Sequence, residues 1–394
     1  MSSAKNIEEA LNIFSNTLME KLDNHFADMS KPVIKNIKEI IIALVLFLRS
    51  ARGWYGRMTI MGIARCMQTE GSVKTKCKRL DRFLINESFQ LDKAAAGLFT
   101  MIEHQVNEEI IPVLIDQTDL SGVQVIAAST PYQGRALPFA LTTFEFENIK
   151  YSQNEIEKEF FILLQRTVGR EKSLVFIMDR GYAQADYFSI FNENNQLYVI
   201  RASNKVMIEY IDRGKQKRIL LGRLRYRKGK PTRYNNVKYH HKKKISVDIV
   251  IYYEKGFKEP WFLVVPPDSE NILPSSLIVK LYRSRMNIES KFRDFKSMLG
   301  LRGLKLKVLR AEKIARLLIC IALAYIILLL LGSCDLAKEF QKKIEISRSK
   351  KRHGTKRTLS ILTIALFMTS DSYLLTLSNL FMLLTSIISS SFLI

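Results

Sequence analysis

Tyr282, Arg285, Glu289 and Lys296 stand at offsets of 0, 3, 7 and 14 within the segment LIVKLYRSRMNIESKFRDFKSML. On one helix, at about 100° per residue, the four fall within about 60° of each other and share a narrow stripe. A phenol, a guanidinium, a carboxylate and an ammonium on one face make an unusual stripe to bury for packing. They suit a site that holds a divalent cation and grips phosphates. Hard Mg²⁺ ions take oxygen ligands, and a trio of carboxylates leaves positions open for water and a scissile phosphate. Two such ions would divide the work: one activates an attacking water or 3′-hydroxyl, the other stabilises the leaving oxygen. Arg285 and Lys296 would neutralise adjacent phosphates, the arginine with two oxygens at once. The further acids are Asp116, closing the apolar run IIPVLID, and Asp179, closing SLVFIMD. Asp119 is a rival for the first position, but it falls beyond the expected strand end, so Asp116 is preferred.

The elements that must position these groups are legible in the periodicity. Ile110–Asp116, the alternating run from Val123 and LPFALTTF from Leu137 read as three strands. A helix over 153–168, the strand ending at Asp179, a helix through about Asn194 and a strand from Leu197 follow. This is the element order of a ribonuclease H-like core, in which the first and fourth strands lie side by side and their terminal acids converge. Residues 202–273 change character: over 201–244 there are 16 Lys or Arg against Glu209 and Asp212, a local charge of +14, with strand-like alternation beyond. The predicted architecture is therefore α/β. It has a helical region over 1–106, a ribonuclease H-like core from 107–201 and 274–300, a basic β-rich insertion over 202–273 and a helical region over 301–394.

Composition narrows the partner. Lys and Arg number 61 against 38 Asp and Glu, a formal charge of +23, so the surface attracts polyanions, with nucleic acid the leading partner and anionic membrane second. The four cysteines form no CxxC pair, which fits a reducing, cytoplasmic setting better than zinc or a disulfide framework. The opening residues lack a secretory apolar core. The apolar run Leu317–Leu331 is shorter than the roughly 20 residues that cross a bilayer and reads as a buried core helix, so no membrane is expected. In the N-terminal region two short helices break at Gly71-Ser72. The second carries Lys78, Arg79 and Arg82, either as a DNA-reading helix after a glycine turn or as a solvated charged face.

The spacing Tyr282-x2-Arg285-x3-Glu289-x6-Lys296, with Asp116-Gln117-Thr118 and Asp179-Arg180-Gly181 at strand ends, resembles the signature of IS4-type DDE transposases. The likeness extends over the whole chain: helical N-domain, core, β-rich insertion between second acid and final glutamate, helical C-terminal region. It implies an insertion-sequence transposase whose catalytic, metal-binding acids are Asp116, Asp179 and Glu289. The cofactor would be two Mg²⁺ ions, with Mn²⁺ substituting, and the partner double-stranded DNA, as terminal inverted repeats and target, within a synaptic homodimer. Relatives often pass through a hairpin on the transposon end. Trp261 looks like the insertion-domain tryptophan that stacks on a flipped base in such relatives; its other reading is a core strand tryptophan. Arg180 would bind DNA or pair with a nearby acid. His240 and His241, among lysines, point to phosphate contact rather than zinc. The competing class is a transposase-derived DNA-binding protein that has lost catalysis.

Overall fold

The protein was analysed as a computed structural model that describes residues 2–49, 58–106, 109–149, 152–168, 173–304, 310–351, 356–370 and 375–392. Residue 107, the expected start of the core, and residues 352–355 of the basic run Arg348–Arg357 lie outside them. Apolar residues recurring every three or four positions draw the first hundred residues into helices. Helix α1 (Ser2–His25) buries Ala10, Phe14, Leu18 and Leu22, and α2 (Lys31–Arg49) is apolar on most of its surface. The short α3 (Ile60–Cys66) and the basic α4 (Val73–Leu84) begin at Thr59 and Ser72, whose hydroxyls accept from Gly62 N and Thr75 N and so satisfy two free helix-start amides. Gly71, at φ +102°, makes the break between them. Helix α5 (Leu91–Ile102) leads into the sheet.

Strands β1 (Ile110–Leu120), β2 (Val123–Tyr132) and β3 (Arg135–Phe144) form an antiparallel meander. Its connections, Ser121-Gly122 and Gln133-Gly134, both have two positive φ values, the geometry that matches strand twist in tight hairpins. After α6 (Gln153–Val168), strand β4 (Ser173–Met178) pairs in parallel with β1, and after α7 (Ala185–Glu193), β5 (Leu197–Arg201) pairs in parallel with β4. Parallel strands covered on both faces read as unbroken apolar runs, as Leu174–Met178 does. Phe161 of α6 and Phe191 of α7 pack on Phe176 and cover one face.

The insertion extends this same sheet. Strands β6 (Met207–Asp212), β7 (Lys215–Leu220), β8 (Thr232–Tyr239), β9 (Ile245–Tyr252) and β10 (Trp261–Val265) join through β10 against β5. Among the described residues ten strands make one sheet, in the order β3-β2-β1-β4-β5-β10-β9-β8-β6-β7. The second face is covered between β1 and β9 by α8 (Ser275–Ser284) and α9 (Met286–Arg293): Ile278, Leu281, Tyr282 and Ile288 bury Leu114, Val175, Ile177, Val199 and Leu263. The single helix expected here runs on through Arg285, whose backbone stays helical but tightens to bonds three residues apart, and it ends in a π-turn, Asp294–Met298. Helix α10 (Ala311–Ser333) is the central support. It is long and apolar enough to cross a membrane, yet Lys313–Gly332 is buried throughout by the protein itself. Helices α11 (Asp335–Ile344), α12 (Ile361–Thr369) and α13 (Leu377–Ser391) complete the helical layer.

Candidate active site

Parallel pairing of β1 with β4 aligns Leu114 with Ile177, and two residues further along each chain come Asp116 and Asp179. Side chains alternate across a strand, so both acids emerge on the face that carries Leu114 and Ile177, beneath α9. β1 runs on to Leu120 instead of ending at Asp116. Asp119 therefore lies within the strand, and its parity sets it on the opposite face, where its carboxylate accepts from Gln124 Nε2 at 2.8 Å and Gly122 N at 3.3 Å and closes the hairpin. Asp179 caps the turn Arg180–Tyr182, its Oδ1 accepting from Gly181 N at 2.8 Å. A Cβ at 181 would meet that oxygen at 3.2 Å, a tight contact that would press on the Asp179 carboxylate.

Glu289 reaches Asp116 through Arg285. The guanidinium donates to Asp116 Oδ2 at 3.4 Å and pairs with the Glu289 carboxylate. Burial is the largest influence on Asp116 and pushes its carboxyl up to about 6; Arg285 opposes this, and Asp179 and Glu289 add to it. Asp116 thus feels both other acids, and one guanidinium links it to Glu289. Among the described residues no three His, Cys, Asp or Glu side chains close on a single point, because Arg285 stands between Asp116 and Glu289. The donor chemistry nevertheless fits hard divalent cations: crowded carboxylates, one of them poorly solvated, already draw a positive group among them.

Lys296 lies in the π-turn, where its Nζ donates to Thr118 Oγ1 at 2.6 Å, two residues along β1 from Asp116. That turn is held by Asp294, buried, with Arg135 Nε at 2.7 Å and the Tyr325 hydroxyl at 2.9 Å on one carboxylate oxygen. Tyr282 is buried against Trp261, ring centroids 4.9 Å apart, and the Phe257 centroid lies 4.5 Å from that of the half-buried indole. Arg180 and Arg201 both pair with Glu259 Oε1, at 2.5 and 2.7 Å. Of its two readings, Arg180 is thus seen in the ion pair. On α4, Lys78 and Arg82 are exposed, whereas Arg79 is partly buried with Nε 3.1 Å from Asn36 Oδ1. The structure brings together Asp116, Asp179, Glu289, Tyr282, Arg285, Lys296, Trp261 and Arg180; α4 packs in the separate helical layer, against α2, α3 and α10.

Three neighbours escaped the sequence reading. Lys291, two positions beyond Glu289, is wholly buried, its ammonium 3.1 Å from Ser129 Oγ and 4.1 Å from the Phe292 ring centroid. Burial pulls it down to about 7, opposed by Asp116. Arg201 and Glu259 are the others. No local spacing marks any of them, since their partners come from distant strands.

The sequence from 139 to 327, just under half of the 394 residues, matches the family model of the transposase DDE domain. That match supports a DDE transposase, a class that implies an enzyme of DNA transposition with DNA as partner. The matched span contains Asp179 and Glu289; Asp116 precedes it. A comparison with curated proteins gives no match.

Proposed function

We propose that this chain is an insertion-sequence transposase of the IS4 type, cleaving element ends and joining their 3′-hydroxyls to target DNA. The observation that carries the reading is the register of β1 and β4, which sets Asp116 and Asp179 side by side under Glu289. The order of β3-β2-β1-β4-β5, antiparallel then parallel, supports a ribonuclease H-like core. Asp116, Asp179 and Glu289 are the residues that would hold two Mg²⁺ ions. When bound, such ions supply Lewis-acid activation of a water or 3′-hydroxyl and stabilise the leaving oxygen.

The protein's own groups do the remaining work. Arg285 neutralises Asp116 and Glu289 in the absence of DNA, and turns to the phosphate once those carboxylates are otherwise satisfied. Lys296, anchored by Thr118, adds charge beside the same phosphate. Tyr282 and Phe257 pack on Trp261, and the half-buried indole presents a face to an unpaired base once Phe257 moves aside. Lys78 and Arg82 of α4 serve the duplex further from the cut, and two copies pair the two ends.

The test is a gel assay with Mg²⁺ and a plasmid carrying the DNA that flanks the gene. Wild type should release the excised fragment. Glu289→Gln should retard the DNA and lower cleavage by about 10³-fold or more, because a ligand and a charge are lost with little change of shape. Equal cleavage by the two proteins would sink the assignment. Retarded, uncut DNA with both, in Mg²⁺ and in Mn²⁺, would favour a DNA-binding descendant that has lost catalysis.

A further inference from the structure

The face of the sheet that carries Asp116 and Asp179 does not end under α8. The register from β9 through β8 and β6 to β7 can be followed residue by residue: Ser246 pairs with Lys238, Lys238 with Glu209, and Glu209 with Arg218. The neighbours Val237, Tyr239 and Ile208 point into the main core. The row Ser246-Lys238-Glu209-Arg218 therefore shares the face of the acids. Ile211, two residues beyond Glu209, shares it too and is 76% exposed. Among the described residues the apolar cluster beneath α8 takes no side chain from β8, β6 or β7; Arg233, at the start of β8, has its side chain buried against Asp248, Ser269 and the Leu273 carbonyl, whereas Lys238, Ile211 and Arg218 beyond it are exposed.

We infer that the exposed face of β8, β6 and β7 is a track for duplex DNA leading away from the acids. Ile211 and the turn Arg213-Gly214 form the tip of an arm that lies in a groove. The inference rests on the transposase reading and extends it to where the duplex runs. Charge complementarity selects the occupant. The stretch 201–244 carries +14. Its two acids are already engaged on the protein, Glu209 by Lys244 at 3.1 Å and Asp212 by Lys217. Lysines along an edge strand also deter edge-to-edge pairing, and that accounts for Lys215 and Lys217, which pair with Asp212 and Tyr210 and sit on the other face. It does not account for an exposed isoleucine opposite Gln216 and two residues before Arg213 at the tip of the hairpin, an apolar side chain placed where it can enter a groove. From β4 to β7 there are six strand steps, roughly 29 Å at about 4.8 Å each. A duplex laid along the sheet would therefore meet the arm roughly 8–9 base pairs from the cut, at about 3.4 Å per pair.

The experiment uses the full chain carrying Glu289→Gln, so that DNA stays intact, and a labelled duplex of the gene's flanking sequence. Binding is measured by fluorescence anisotropy across a salt series, and contacts by hydroxyl-radical footprinting. Arg218→Ala with Lys238→Ala should reduce the slope of log K against log[salt] by about 2. It should also erase protection roughly 8–9 base pairs from the scissile position. Ile211→Ser should erase the same protection with the slope unchanged. Lys215→Ala with Lys217→Ala removes equal charge from the opposite face and should alter neither. Equal slopes in all variants, or equal losses from the two charge pairs, would overturn the track. A parent chain that binds no duplex at any salt would overturn the track and the transposase reading together.

Discussion

Asp116 is a carboxylate held where water reaches it poorly and where Asp179 and Glu289 face it. Its folded pKa of about 6 lies above the ordinary 3.8, so the native state holds this proton more tightly than the unfolded chain does. The sign follows: the group's contribution is fully favourable below pH 3.8 and is lost as pH rises through about 6. At about 1.4 kcal/mol per pH unit, charging it costs on the order of 3 kcal/mol at neutral pH. In metal-free buffer Asp116→Asn should accordingly melt above wild type at pH 7.5, with the gap closing towards pH 4. Thermal melts across that range check it, and identical midpoints at pH 7.5 would contradict the burial argument. The residues that revealed themselves in the sequence did so through type and spacing: Tyr282, Arg285, Glu289 and Lys296 by helical repeat, Asp116 and Asp179 by closing apolar runs. Lys291 gave no such signal, because what makes it unusual is complete burial against Ser129, a contact made across 162 residues.

Among the elements, the strands of the core were legible as alternating or unbroken apolar runs, and the adjacency of β1 and β4 followed from their order. Two features were not. β1 continues to Leu120 because its polar end, Gln117 to Asp119, is paired by β2, and pairing partners are invisible to local pattern. The π-turn at Asp294–Met298 likewise depends on Arg135 of β3 and Tyr325 of α10 gripping Asp294. This turn inserts an extra residue into the helical repeat and so sets where Lys296 meets Thr118. Removing the arginine leaves a buried carboxylate without its cation. Arg135→Met should destabilise by about 3 kcal/mol in urea denaturation. It should also lower cleavage about 10–100-fold by displacing Lys296. Tyr325→Phe, which keeps the ion pair, should cost only about 1 kcal/mol. Equal effects from the two substitutions would remove Asp294 as the anchor of the turn.

Across the whole molecule, α10 ties the N-terminal helices, the meander and the last helices into one body. Its apolar length is explained by what surrounds it. Packing there is tightest at Gly332, where an added Cβ would lie 1.9 Å from the Ile361 carbonyl oxygen, a backbone atom that cannot step aside. Gly332→Ala should therefore push α12 off α10 and destabilise by about 2–3 kcal/mol or more, read as a lower urea midpoint; an unchanged midpoint would show that the two helices do not meet as described. The pairing of α1 with α13, where Phe14 stacks on Phe381 at 5.4 Å, sets a timetable for synthesis. The apolar strip of α1 leaves the ribosome roughly 350 residues before its partner, an interval of about 20–70 s at 5–20 residues per second. Until then α1 has only its early neighbours α2 and α5 to pack against, and the flank around Phe14 that α13 will cover stays open to other apolar surfaces.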